Sequence, residues 1–467
     1  MMIIDNAELD YVLDTDGLFT FTEGGPLLLL DADPVAYKAA SACDNQKQVI
    51  KLNNVECYSV DGGITELYAA LGFHDYRDFN AMLDKNPAIT HEVVTTSDDS
   101  TNMFHTIKAQ VKRIIKDSGA GSIRLFLTDG ASNFRLTEDI ATVLKYKGNR
   151  KADAKPQLLG EAREYLMEQL GAEMCIGMEA DDKLAILHNE AWLEAMDLAR
   201  EELSNKDGAV ALSDIESRAM ELTGTVLATI DKDIKMVAGL FINPDQDLGI
   251  EKIFPMGHLS LEQKTKTKKL RFSGLRGFYA QLLLGDSCDN ISGVYFCGDV
   301  KVHELLSPCN TEEELFKAVY SEIYQGFHRE HIKDLDAEVC SRVESAILMG
   351  ESDTKSNRTK LRSKFKGLLQ KNVAFCDKHY YHWNEYKLKE DGTVSNELTD
   401  PDAAVVLTIS PLNYLLEVAR LVYMLSVEPN EDGSHLWKVP DQNWVNEVDK
   451  QYRYENLSRI ETAWSPK

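Results

Sequence analysis

Several things are missing from this chain, and each absence removes a class of protein. No apolar run approaches the ~18 residues needed to cross a bilayer, and Pro26–Leu30 falls far short of it. The N-terminus lacks a basic, then apolar, then small pattern, so no secretory signal is expected. The eight cysteines (Cys43, Cys57, Cys175, Cys288, Cys297, Cys309, Cys340, Cys376) form no C-x-x-C pair. A disulfide framework or a zinc ribbon is therefore not expected, and a reducing cytoplasm fits. Internal repeats and low-complexity tracts are also absent. Positive charge is scarce: 51 Lys and Arg face 76 Asp and Glu, a formal net charge of −25. An acidic balance favours solubility and works against non-specific binding of nucleic acid.

What is present is an ordinary soluble composition, 43% hydrophobic and 27% charged, on 467 residues, enough for two or three packed units. Residues 1–26 are acidic and turn-rich, an expected N-terminal arm. Leu27–Leu30 reads as a buried strand ending at Asp31. Residues 41–100 are poorly periodic and look like an insertion, whereas Thr101–Lys116 places Phe104, Ile107, Val111 and Ile114 on one helical face. Further apolar runs follow at Ile123–Leu127, Met174–Met178 and Thr225–Ile230. Strands alternating with helices predict an α/β fold, a twisted parallel sheet flanked by helices. After about Phe327 the pattern is mostly helical, with Leu412–Val427 the clearest amphipathic segment, and residues 328–467 are expected to be a helical extension.

The chemistry lies in where the runs stop. All four end in acid: at Asp31, at Asp129, at Glu179-Ala180-Asp181-Asp182, and at Asp231-Lys232-Asp233. In an open parallel sheet, ligands gather outside the carboxyl ends of the strands. Like charges crowded there repel, by ~4 kcal/mol for a pair at 4 Å in a moderate dielectric, unless cations sit between them. Oxygen ligands without His or Cys suit Mg²⁺ or Mn²⁺. Two such ions about 3.5–4 Å apart are a common device for phosphodiester hydrolysis. Glu179 and Asp181 can face one site only if the helix begins near Ala180, because on a continuous helix they point ~200° apart. Any single acid at a strand–helix junction is equally well explained as an N-cap; the case rests on the set. The locally basic segment Tyr146-Lys147-Gly148-Asn149-Arg150-Lys151, with Arg135, Lys145 and Lys155 nearby, offers phosphate contacts, and Tyr146 a ring for base stacking. A solvated basic helix is the plainer account of that segment.

The order Asp31, Asp129-Gly130, Tyr146-Lys147-Gly148-Asn149-Arg150, Glu179-Ala180-Asp181-Asp182, Asp231-Lys232-Asp233, Gly285-Asp286-Ser287-Cys288-Asp289-Asn290 resembles the 5′-nuclease superfamily: flap endonucleases, the 5′-nuclease domain of bacterial DNA polymerase I, and phage exonucleases and ribonucleases H. The resemblance runs from about Leu27 to Leu306. It implies a nuclease core at 27–280, with insertions at about 41–100 and 190–222 and a helical arch at about 131–165. A helix–three-turn–helix-like DNA-binding module would follow at 281–327. It further implies that Asp31, Asp129, Glu179 and Asp181 hold one Mg²⁺, with Asp182 close by, and that Asp231, Asp233, Asp286 and Asp289 hold or polarise a second. Mn²⁺ would substitute. Lys147 and Arg150 would grip the scissile phosphate from the arch, and Arg135, Lys145, Tyr146, Lys151 and Lys155 would contact nucleic acid. The implied partner is DNA at 5′ ends, flaps, nicks or gaps, or an RNA–DNA hybrid, in phage replication or recombination in the host cytoplasm. No membrane partner is implied, and the sequence names no protein partner.

The chain departs from the family at Gly293-Val294-Tyr295-Phe296-Cys297-Gly298, where Phe296 replaces a central glycine in the hairpin that holds duplex backbone and K⁺. Basic clusters at Lys264–Arg276 and Lys355–Lys366 are either backbone contacts or solvated faces. His379-Tyr380-Tyr381-His382-Trp383 reads as a core patch before a base-stacking platform, and Cys376, His379 and His382 lack a fourth zinc ligand. Two rivals remain. In a haloacid-dehalogenase-like phosphatase, Asp31 would be the nucleophile and Asp33 the acid–base. The other is a catalytically weak structure-specific DNA-binding protein. A PIN-type ribonuclease would share the acidic edge but lack the Tyr-Lys-x-x-Arg segment.

Overall fold

The computed structural model describes residues 19–446 except 139, 151–154, 205–209, 247–248, 265–266, 328–377, 382–385, 390–393 and 401–405. The Lys355–Lys366 cluster, Lys151 and the N-terminal arm up to residue 18 lie outside the described residues, as do Cys376, His382 and Trp383.

The four leucines of β1 (Leu27–Asp31) form the centre of the molecule because both faces of the strand are covered. Leu28 and Leu30 point into one cluster, with Val35, Ile107, Val111 and Leu166, while Leu29 points into the opposite one, with Leu184, Phe241 and Phe278. Covering the first face are α1 (Asp33–Ser41), α4 (Ser100–Ser118) and a later helix, Leu159–Leu170. Within α4 the expected stripe is present: Ile107, Val111 and Ile114 are buried, and Phe104 stacks on Tyr165 at 4.4 Å. Asp99 caps the start of α4 through Thr101 N, and Gly119 ends it in the left-handed conformation.

The main sheet has six strands. On one side of β1 lie β5 (Ser122–Thr128) and β6 (Glu173–Cys175); on the other lie β7 (Thr225–Ala228), β8 (Gly239–Ile242) and β9 (Glu251–Ile253). All are parallel except β9, which runs antiparallel to β8. Asp31 is level with Phe126, and Leu30 with Ala228, so the acidic ends of β1, β5 and β7 open on the same edge.

The poorly periodic stretch 41–100 folds into a three-stranded antiparallel sheet, with Asp44–Leu52 between Val55–Asp61 and Ile89–Ser97, and two short helices. Its small core is Ile50, Leu67 and Phe79. The second expected insertion is a helical hairpin: α7 (Ala180–Ser204) continues into 190–204 and packs on Leu212–Leu222 through Trp192, Met196 and Met220.

Helix α9 (Gly274–Leu284), a loop at 285–298, α10 (Asp299–Leu306) and a helix spanning 312–327 occupy the region expected to bind duplex. The described part of the C-terminal stretch carries strands beside its helices. Among the described residues it pairs Lys378–Tyr381 with Val406–Ile409 and Tyr386–Leu388 with Val394–Leu398 before reaching α12 (Pro411–Val422). Aromatic and β-branched residues there favour a pleated surface over a helix. Within the expected arch, residues 140–150 are not helical: they are a run of turns and bends, in which Lys147 takes a positive φ of 55°.

Candidate nuclease site

Three carboxylates come together because three chain segments end at one place. Asp31 is buried at the end of β1, where its Oδ1 accepts from Asp33 N at 3.1 Å and its Oδ2 from Thr229 Oγ1 at 3.0 Å. Asp231 lies just beyond β7, and its carboxylate accepts from Asp233 N at 2.9 Å. Helix α7 begins at Ala180, as the Glu179/Asp181 spacing requires, with Ala180 N fastened to Thr128 Oγ1 at 2.9 Å. Asp181 therefore enters in the first helical turn, where backbone N–H groups favour negative charge. Its Oδ1 is buried without any hydrogen-bond partner.

Burial pushes the Asp31 carboxyl up to about 8, with Asp33 and Asp231 adding repulsion. Asp181 is pushed well above the carboxylate range by burial and then by Asp31, Asp231, Glu179 and Asp182. Burial also raises Asp231, and it raises Asp233 further, with Asp231 as that residue's next cause.

The remaining acids are matched by cations of the chain. Burial works against ionised Glu179, but Lys147 and then Arg135 outweigh it and hold its carboxyl below the ordinary range. Lys232 does the same for Asp286 at 2.9 Å, and Arg150 contacts Asp289 at 2.5 Å. Tyr146 shares its hydroxyl between Asp289 at 2.9 Å and Glu179 at 3.1 Å.

Several expected roles change. Asp182 is fully buried and gripped by Arg135 through both oxygens, at 2.5 and 2.9 Å, so it is committed to an internal ion pair rather than a metal. Arg135, 1% exposed, is for the same reason not available to nucleic acid: its remaining N–H groups donate to Leu421 O and Tyr423 O. Tyr146 is 3% exposed, so its ring cannot stack on a base. Asp129 bonds within its own turn, to Ala131 N and Ser132, which lower its pKa, the Ser132 bond foremost. Lys145 is half-buried and Lys155 exposed. Phe296 is 74% exposed with φ +57°, so the backbone keeps the left-handed turn a glycine would adopt while carrying a ring.

Among the described residues, no three His, Cys, Asp or Glu side chains converge closely enough to hold a metal ion as they stand. The carboxylates expected to share metal do not form a preassembled cage, since Lys147, Arg150 and Lys232 engage three of them. Their chemistry nonetheless fits a hard divalent cation: all donors are oxygens, and Asp181 Oδ1 is an orphaned buried acceptor beside repelling neighbours.

Sequence reasoning missed Lys232, although it stands in plain view between Asp231 and Asp233, and it missed Glu417 altogether. The Glu417 carboxylate accepts from Thr142 N at 3.1 Å, Val143 N at 3.0 Å and the Thr142 hydroxyl.

No protein-family model matches the chain, and no curated protein matches it. Solved structures do show a likeness. A mutant 5′-exonuclease of phage T5 is 12% identical with a TM-score of 0.26, covering 57% of this chain and 80% of that one. The bacteriophage T5 flap endonuclease, as a pseudo-enzyme–product complex with DNA and metal ions, is 15% identical with a TM-score of 0.25, covering 46% and 79%. The T5 5′-exonuclease with zinc bound is 15% identical with a TM-score of 0.25, covering 48% and 81%.

Proposed function

We propose that the chain is a divalent-metal-dependent 5′-nuclease of the flap-endonuclease and 5′→3′ exonuclease type. The observation that carries this is the buried, unpartnered Asp181 Oδ1 among Asp31, Asp231 and Glu179. A fold does not bury several repelling carboxylates for stability; a cation between them makes the arrangement favourable. Asp31, Glu179, Asp181 and Asp231 would hold one Mg²⁺ or Mn²⁺, and Asp233, Asp286 and Asp289 a second. Bound there, the ions would supply an ionised water and neutralise charge at the leaving oxygen.

The chain's own groups do the rest. Lys147 and Arg150 hold Glu179 and Asp289, and a phosphate arriving at the edge competes for both cations. Moving onto the phosphate, they bind and orient it and leave the carboxylates free for metal. DNA 5′ ends, flaps, nicks and RNA–DNA hybrids are the proposed substrates, and phage replication or recombination the proposed setting, following the motif order set out above.

The phosphatase alternative asks Asp31 to attack phosphorus and Asp33 to shuttle a proton. Yet the Asp33 carboxylate is already committed, pairing with Arg163 and accepting from Thr128 N at 2.8 Å. Cleavage of a 5′-labelled duplex, a 5′ flap and an RNA–DNA hybrid, each with Mg²⁺ or EDTA, decides between them. Short 5′ products that vanish in EDTA support the nuclease. Turnover of a small phosphate ester without any cleavage would establish the phosphatase.

A further inference from the structure

The helix α12 and the residues just past it touch three segments that border the site. Glu417, on α12, takes both backbone N–H groups of Thr142 and Val143 and the Thr142 hydroxyl, across 275 residues of sequence. Those donors lie in a stretch of turns with no helix or strand to pair them. Three residues before Glu417 on the same helix, Tyr414 donates its hydroxyl to Ser292 O at 2.6 Å, just beyond the loop of Asp286 and Asp289. At the end of the helix, Leu421 O and Tyr423 O accept from Arg135, which grips Asp182, and Leu425 N approaches Asp182 Oδ1 at 3.4 Å. Lys183 completes the seam with Glu428. A small crevice lined by Val143, Asn290, Ser292, Tyr414 and Glu417 runs along the contact.

The turn held by Glu417 is the one that delivers Tyr146 and Lys147. Three residues separate Val143 from Lys147, and Lys147 N donates in turn to Asp289 O at 2.9 Å. Asn290 Nδ2 closes the loop onto Lys145 O at 2.9 Å. The turn is thus suspended between α12 on one side and the Asp289 loop on the other. Without the carboxylate anchor, three donors in a half-buried seam lose their shared acceptor, and the turn must find water or another conformation.

We propose that Glu417 is a positioning residue for the nuclease site: through the Thr142–Val143 turn it sets where Lys147 stands relative to Glu179 and Asp289. This rests on the nuclease reading and gives the C-terminal part of the chain a role in it. Glu417 touches no reacting atom. It acts through backbone, so its effect should appear in turnover and in the mobility of one turn, with little change in substrate capture.

The experiment compares full-length wild type, Glu417→Ala, Glu417→Gln, Lys147→Ala and the Glu417→Ala/Lys147→Ala double variant. Hydrogen exchange is followed at the Thr142–Lys147 amides, and Mg²⁺-dependent cleavage of a 5′ flap on the same samples. Glu417→Ala should lower kcat by about 100-fold, the scale of a misplacement near 1 Å, with KM changed less than about threefold. Glu417→Gln keeps the size of the side chain and presents an amide where donors point, so it should fall between wild type and Glu417→Ala even if the latter folds poorly. Exchange at Thr142–Lys147 should quicken while the amides of β1 and β7 stay protected. The double variant should be no slower than Lys147→Ala alone, because both changes break one path. Unchanged exchange in Glu417→Gln, unchanged kcat, or effects that multiply in the double variant would each overturn the proposal. Wild type that cuts nothing overturns the nuclease reading itself, a result distinct from a wild type that cuts and a Glu417 variant that cuts equally well.

Discussion

Asp181 and Asp182 are neighbours in sequence and opposites in circumstance, and the acidic edge divides along the line between them. On the Asp182 side, every described carboxylate has a cation: Arg135 for Asp182, Lys147 for Glu179, Lys232 for Asp286, Arg150 for Asp289. On the Asp181 side, Asp31, Asp181 and Asp231 repel one another; hydrogen bonds relieve Asp31, a backbone bond and then Lys232 relieve Asp231, and Asp181 Oδ1 is buried without a partner. Burial alone cannot account for the contrast, because Asp182 is as buried as any group in the molecule. What differs is whether the chain supplies the counter-charge. The matched side is self-sufficient; the unmatched side is where the proposed cation would supply the missing charge.

The largest effect is expected at Asp181. Asp181→Asn should cut Mg²⁺-dependent cleavage by a factor on the order of 10³ or more, about 4 kcal/mol of transition-state stabilisation. Thermal stability measured in EDTA should hold or rise, since a repelling charge is removed. Asp182→Ala should do the reverse in stability. Stranding Arg135 in the interior costs about 3–5 kcal/mol, seen as a lower denaturation midpoint. A protein that tolerated Asp182→Ala would show the pair to be incidental.

A smaller effect sharpens the same contrast through pH. Asp31 has a folded value of about 8, above its ordinary 3.8, so its contribution to stability is full below 3.8 and lost as the pH rises through 8. His188, buried beside Thr225, runs the other way: burial lowers it from 6.5 to about 4, so its contribution is full above 6.5 and lost as the pH falls toward 4. Between 6.5 and 8, then, His188 is silent and Asp31 is not. In urea denaturation in EDTA, Asp31 alone should lower stability by about 2 kcal/mol across that window, at 1.36 kcal/mol per unit; Asp181 and Asp233, raised in the same sense, should steepen the fall, and Mg²⁺ should flatten it. A flat profile in EDTA would mean that the unmatched side carries no stored repulsion. The smallest expected change lies at Phe296, whose positive φ strains any residue with a Cβ. Phe296→Gly should stabilise the protein by about 1 kcal/mol, read from the denaturant midpoint.

The parts of this fold that could be read from sequence are those whose signal is local. Leu27–Leu30 shows as a run because both faces of β1 are covered, and the start of α7 at Ala180 follows from what Glu179 and Asp181 must do together. The 41–100 sheet stayed hidden because much of each of its strands faces solvent, leaving little apolar alternation to see. Arg135 and Tyr146 were expected to meet nucleic acid because basic and aromatic residues cluster there. They turn inward because their partners, Asp182, Glu179 and Asp289, lie 47, 33 and 143 residues away, beyond any window of periodicity. Glu417 had no signal at all: on an amphipathic helix it is one more polar residue, and only the folded chain shows the turn it holds.

Whether the unmatched carboxylates are a divalent-cation site is read by calorimetric titration with Mn²⁺ at pH 7.5. Wild type should bind saturably, Asp181→Asn should lose or sharply weaken binding, and Asp182→Asn protein that remains folded should still bind. Equal binding by wild type and Asp181→Asn, or no binding by either, would contradict it.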